Sequence, residues 1–95
     1  MKLRWLSSAL LELDRVHQFI AQENPKAAKQ VFTRIRGSTK NLKRFPESGR
    51  IGQVPGTREL VVTNLPYIVL YRVSGDVVEI LRVFHTSQEP ANPFH

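Results

Sequence analysis

The strongest constraint on this chain is a change of hydrophobic period across one loop-forming segment. Residues 46–57 carry three glycines and two prolines, the residues that most often interrupt regular structure. Before this segment apolar residues recur every three to four positions, the period of a helix with one buried stripe. After it they alternate or run on continuously, as strands do.

Upstream, Leu3 and Trp5 alternate with Lys2 and Arg4, which predicts a short half-buried strand. Ser7 and Ser8 are placed to cap a first helix with a hydroxyl. Glu12 and Asp14 fall early in it, where the helix dipole favours negative charge. Leu10, Leu13, Val16 and Ile20 form its apolar stripe. Asn24-Pro25 closes that helix and opens the next, because asparagine caps well and proline fits the first helical position. The second helix is expected to bury Ala28, Val31, Ile35 and Leu42 and to stop before Pro46. So short a connection makes the pair an antiparallel hairpin.

Downstream the pattern predicts strands over 58–62, 67–73 and 77–84, with the last two central because both of their faces are apolar. A two-residue turn at Gly75-Asp76 sets Arg72 opposite Glu79, a favourable cross-strand pair. Carried forward, that register puts Arg82 on one face with Tyr67 and Tyr71, and Arg72 and His85 on the other. The expectation is one α+β domain over 1–95, β-α-α-β-β-β, a helical hairpin on an antiparallel sheet with an irregular tail from about residue 86.

The 95 residues contain no cysteine, which excludes disulfide scaffolds and thiol chemistry and fits a reducing cytoplasm. No apolar run is long enough to span a bilayer, and the N-terminus lacks the apolar core of a secretion signal. These features set the expectation of a cytoplasmic protein with no membrane association. The net charge of +6 points to an anionic partner, if it does more than maintain solubility. Lys29, Arg36, Lys40 and Lys43 recur on one helix face opposite the apolar stripe. That face is either a solvated surface or an electrostatic contact, and its lack of aromatic residues argues against base stacking.

A second group, Arg50, Arg58, Arg72, Arg82 and His85, lies in the loop and sheet. Arg82, in mid-strand between Leu81 and Val83, either pairs with a structural acceptor or belongs to a site. Arg50 and Arg58, in or beside the loop, are expected to be replaceable without loss of folding. His85 ends the last strand and is either a hydrogen-bonding residue or a general acid–base group. His17, His85 and His95 are too scattered to point to a metal, and no cofactor-binding motif is present.

Asn24-Pro25-x-Ala27-Ala28, Leu42-x-x-Phe45-Pro46-x-x-Gly49-Arg50, Gly56-Thr57-Arg58-Glu59-Leu60, the strand from Tyr67 to Val73, and the strand from Val78 to His85 together resemble the RelE/ParE family of toxins. They follow one another in family order over roughly residues 3–88. The resemblance implies the strand–helix–helix–sheet fold and a type II toxin neutralised by an acidic antitoxin, with which it would form a hetero-oligomer.

The family holds two activities. RelE-type members cut messenger RNA on the ribosome with a set of basic side chains and no metal, whereas ParE-type members bind and poison DNA gyrase. This chain has Ile68 where RelE-type enzymes place an arginine after the first tyrosine of that strand. It has Glu59 and Val61 where they place lysines, and 86–90 hold neither their arginine nor their tyrosine. The resemblance therefore implies the gyrase poison, with ribosome-dependent ribonuclease as the alternative. In that alternative His85, Arg82, Arg58 and Arg50 would be the catalytic candidates. In either, Arg50, Arg58, Arg82, His85, Lys29, Arg36, Lys40 and Lys43 are candidate contacts for the target or the antitoxin.

Overall fold

In the computed structural model, which describes residues 1–88, the long strands β4 (Tyr67–Ser74) and β5 (Val77–His85) form the spine of a five-stranded sheet. Its order is β1-β5-β4-β3-β2, with β1 at Lys2–Trp5, β2 at Arg50–Ile51 and β3 at Arg58–Val61. The central places expected for the two apolar strands are the ones they occupy. Gly75 takes a φ of 61° at the head of their two-residue turn, a conformation glycine adopts without steric cost. Arg72 lies opposite Glu79, as the turn requires, and the two side chains meet at 2.7 Å.

Helices α1 (Ser7–Ala21) and α2 (Pro25–Lys40) form the hairpin. Asn24 caps α2 by accepting from the Ala27 N–H at 3.0 Å, with Pro25 as the first helical residue. After Lys40 the chain tightens into a single 3-10 turn, Asn41–Lys43, which buries Leu42 before Pro46. Ala9 and Leu13 from α1, and Ile35 and Leu42 from α2 and its 3-10 turn, pack on Tyr67, Val69, Tyr71, Val78 and Ile80 of the sheet. Ile68, Leu70, Leu81 and Phe84 make a smaller cluster with Leu6. Ile68 and Leu70 alternate with the core residues of β4, which puts this cluster on the opposite sheet face.

The structure departs from the expectations in four places. First, 46–57 is not all loop: Arg50 and Ile51 pair with Glu59 and Arg58 as a two-residue edge strand, too short for any periodicity to reveal. Second, the sheet is not wholly antiparallel, since β1 runs parallel to β5 along its open edge. Third, a one-residue bulge beside Leu81 shifts the β4–β5 register, so Tyr71 faces Ile80 but Leu70 faces Arg82. Beyond the bulge the faces exchange. Arg82 therefore leaves the Tyr67–Tyr71 face, and His85 joins it, opposite Tyr67.

The fourth departure concerns the start of α1. Leu6 holds the cap position, with no side-chain cap bond, and Leu10 is exposed because Ala9 takes the buried place on the stripe. Ser8 and Glu12 serve the sheet instead of the helix end. β1 stops pairing with β5 at Ile80, leaving the rest of that β5 edge without a strand neighbour. Ser8 Oγ donates to the Leu81 carbonyl at 3.0 Å, and one turn later Glu12 Oε1 accepts the Val83 N–H at 3.1 Å. Glu12 also takes the Arg82 guanidinium through two bonds, Nε at 3.2 Å and Nη2 at 2.7 Å. The carboxylate raises the Arg82 pKa above its ordinary value, chiefly by hydrogen bonding.

Both partners keep less than a quarter of their side-chain surface in solvent, so removing Glu12 strands a backbone donor and a guanidinium together. We expect Glu12→Ala to lower stability by about 1–3 kcal/mol, a fall in melting midpoint on the order of 10 °C for a domain of this size. An unshifted thermal melt would show that this edge needs no side-chain partner.

Candidate functional site

Arg50, Arg72 and Arg82 lie on the sheet face away from the helical hairpin, and each is matched by a carboxylate. Arg50 bonds Glu59 from the neighbouring strand at 2.9 Å, Arg72 bonds Glu79, and Arg82 bonds Glu12. Glu59 is almost wholly buried, a position in which a carboxylate needs its countercharge. The guanidinium groups here neutralise their neighbours.

Arg58 takes a different role, holding backbone carbonyls of the loop expected to tolerate its replacement. Its Nη1 donates to the carbonyls of Gly49 at 2.9 Å and Glu47 at 3.3 Å. The Tyr71 hydroxyl completes the clasp: it donates to the Pro46 carbonyl at 2.7 Å and accepts from the Gly49 N–H at 2.9 Å. Burial raises the Tyr71 pKa, opposed in part by the Gly49 hydrogen bond, so the phenol remains a donor at neutral pH. Arg58 and Tyr71 hold the segment that places Arg50 against Glu59.

His85 stands apart from the arginine pairs. Its Nδ1 accepts the Ser87 N–H at 3.1 Å and lies 2.8 Å from Ser87 Oγ, and its ring meets Tyr67 edge-on at 5.5 Å. Together with Glu12, Arg15, Phe19 and Tyr67 it lines an open groove of about 360 Å³ between α1 and the end of β5. Burial raises the Tyr67 pKa, which keeps that phenol from acting as a base near neutrality. No cluster of three metal-ligating side chains occurs among the described residues.

The remaining candidates lie on α2 and its 3-10 turn. Lys29, Lys40 and Lys43 are exposed, whereas Arg36 is half-buried with its guanidinium 5.2 Å above the Trp5 ring. Residues 25–44 carry seven of the fourteen cations and no carboxylate, while the other seven cations are outnumbered by eight carboxylates. This segment therefore accounts for the entire net charge. Beside it, α2 and Leu65 enclose an open groove of about 830 Å³, with Ala27 and Val31 among its apolar walls and Lys26 and Arg34 among its charged ones.

The model of the ParE toxin of the type II toxin–antitoxin system parDE matches residues 3–90. The chain belongs to this toxin family. Y4kP of Sinorhizobium fredii, named as a candidate toxin, is 43% identical over 88 residues, which cover 93% of this chain and 91% of that one. Toxin RelE2 of Caulobacter vibrioides is 33% identical over 84 residues, covering 88% and 93%. Among solved structures, the chromosomal ParDE toxin–antitoxin system from P. aeruginosa superposes with a TM-score of 0.83 at 28% identity, over 90% of this chain and 95% of that one. The strand–helix–helix–sheet arrangement is thus that of a type II toxin, and no helix among the described residues of this ParE-family chain is long and apolar enough to cross a membrane.

The 46–50 clasp is not visible in the sequence, where Pro46-x-x-Gly49-Arg50 shows only as part of the family pattern. A Cβ on Gly49 would lie 2.7 Å from the Tyr71 ring and hydroxyl and 2.9 Å from the Glu59 carbonyl. Backbone on one side and a buried ring on the other leave nothing that can yield. We expect Gly49→Ala to destabilise the toxin more than Tyr71→Phe, which loses only the two hydroxyl bonds, about 1–3 kcal/mol. Thermal melts of both variants check this ranking, and the reverse order would contradict it.

Proposed function

We propose that this ParE-family toxin arrests growth by binding DNA gyrase and trapping it on cleaved DNA, with no proton-transfer chemistry of its own. The pairing of the sheet arginines supports this reading most directly. Metal-independent RNA cleavage needs a base for the 2′-hydroxyl, an acid for the leaving oxygen and cations for the phosphate. Arg50, Arg72 and Arg82 each bond a carboxylate, and the carbonyls of 47 and 49 occupy Arg58. His85 accepts from Ser87 and shares its groove with Tyr67, whose pKa is raised, and with Glu12, which Arg82 already holds. A binding poison needs none of these groups, because gyrase performs the DNA chemistry itself.

The partner that restrains the toxin is proposed to be an acidic antitoxin segment, as the toxin–antitoxin assembly of the P. aeruginosa relative suggests. The α2–Leu65 groove suits it: apolar walls offset the ordering of a disordered peptide, and Lys26 and Arg34 complement its charge.

Expression of the chain alone should stop growth, and the antitoxin should restore it. His85→Gln keeps hydrogen-bonding capacity but cannot titrate, so it should leave growth arrest within about threefold of wild type, on the scale of a lost acid–base group worth 100-fold or more. Arrested cells should form filaments with DNA-damage signalling. If His85→Gln abolishes arrest in a folded protein and wild-type cells accumulate cleaved messenger, the ribonuclease reading replaces this one.

A further inference from the structure

We infer that the convex face of α2 and its 3-10 turn, carrying Lys29, Lys40, Lys43 and Arg44, grips the sugar–phosphate backbone of duplex DNA without reading its sequence. The inference rests on the proposed gyrase reading only in taking DNA as the polyanion within reach. The first observation is where the charge lies. Outside residues 25–44 the chain is slightly acidic, so its attraction for a polyanion comes from this one segment. The sheet arginines are held by Glu12, Glu59 and Glu79, whereas the carboxylates of the chain all lie outside this segment.

The second observation is the shape and chemistry of the face. From Lys29 to Lys40 the helix rises about 17 Å, enough to follow several phosphates of one groove wall. Between the cations stand Thr33 and Gly37, both small. A side chain at Gly37 would meet nothing within 4 Å, so packing inside the chain does not call for glycine there. Its poor helix propensity is tolerated at a position where a partner's backbone can approach closely. A disordered acidic peptide, the other obvious polyanion, must bury apolar surface to offset its ordering. Lys29 and Thr33 border the α2–Leu65 groove, whose apolar walls suit such a peptide, but the outward residues between the cations, Thr33 and Gly37, offer it no apolar side chain to bury against. A duplex is already ordered and needs only counter-charge. The aromatic residues of the segment, Phe32 and Phe45, are engaged by His17 and Arg44, so single-strand stacking is disfavoured as well.

Binding of purified toxin to a labelled 30-base-pair duplex (about three helical turns), in the absence of gyrase and antitoxin, tests the inference by fluorescence anisotropy. Four phosphate contacts predict an affinity that falls roughly 100-fold between about 50 and about 200 mM salt, equally for two unrelated sequences. Lys40→Gln with Lys43→Gln should lower the magnitude of the salt slope by about 2. Lys2→Gln with Arg15→Gln, an equal loss of charge at exposed positions off the face, should leave the slope nearly unchanged. Equal weakening by both pairs would reduce the effect to net charge and overturn the inference. It would also fall if duplex binding were absent in the wild type, or if the Lys40–Lys43 pair left duplex affinity and its salt slope unchanged. None of these measurements contains gyrase, so inhibition of gyrase can fail without altering their outcome.

Discussion

The Glu12 carboxylate is the polar tie between the helical hairpin and the sheet on which much of this structure depends. It joins α1 to β5 across seventy residues of sequence, closes the strand edge that β1 leaves open, and neutralises the arginine beside a bulge. Removing it would free a buried-edge donor and a cation at once, leaving Ser8 and the apolar contacts of Ala9 and Leu13 to seat α1 on the sheet. Two other carboxylates, Glu59 and Glu79, act in the same way on Arg50 and Arg72. The consequence reaches beyond stability. A sheet rich in arginine presents charge that is largely internally balanced, and the net positive charge is left on α2 and its 3-10 turn.

This partition separates the surfaces by chemistry. The open sheet face carries ion pairs over a small apolar cluster, the groove beside α2 combines apolar walls with cations, and the outer side of α2, which meets that groove at Lys29 and Thr33, is chiefly cationic. A toxin that acts by binding needs distinct surfaces for its target and its inhibitor more than it needs a catalytic constellation. These surfaces fit within 88 described residues because two long central strands and one hairpin supply most of the core.

Much of this was legible in the sequence because it depends on local rules. The Asn24-Pro25 boundary, the Gly75-Asp76 turn and the Arg72–Glu79 pair each follow from residues a few positions apart, and the structure reproduces them. The pairing of Arg82 with an acceptor was one of two readings of a charge in mid-strand. What the sequence hid is non-local. The bulge beside Leu81 carries no glycine to announce it, yet it exchanges the faces of Arg82 and His85. Ser8 and Glu12 look like helix-start residues, but the unpaired β5 edge makes stronger use of them. Arg58 and Tyr71 clasp carbonyls of 46–49 that only the folded chain brings near.

The central claim is that the toxin binds its target and performs no chemistry on it, so the decisive measurement uses purified components on both candidate targets. Toxin added to DNA gyrase and relaxed plasmid should block supercoiling and accumulate cleaved DNA that is still joined to gyrase. The same toxin on programmed ribosomes should leave the messenger intact. Cleaved messenger on the ribosome together with unaffected supercoiling would contradict the account outright.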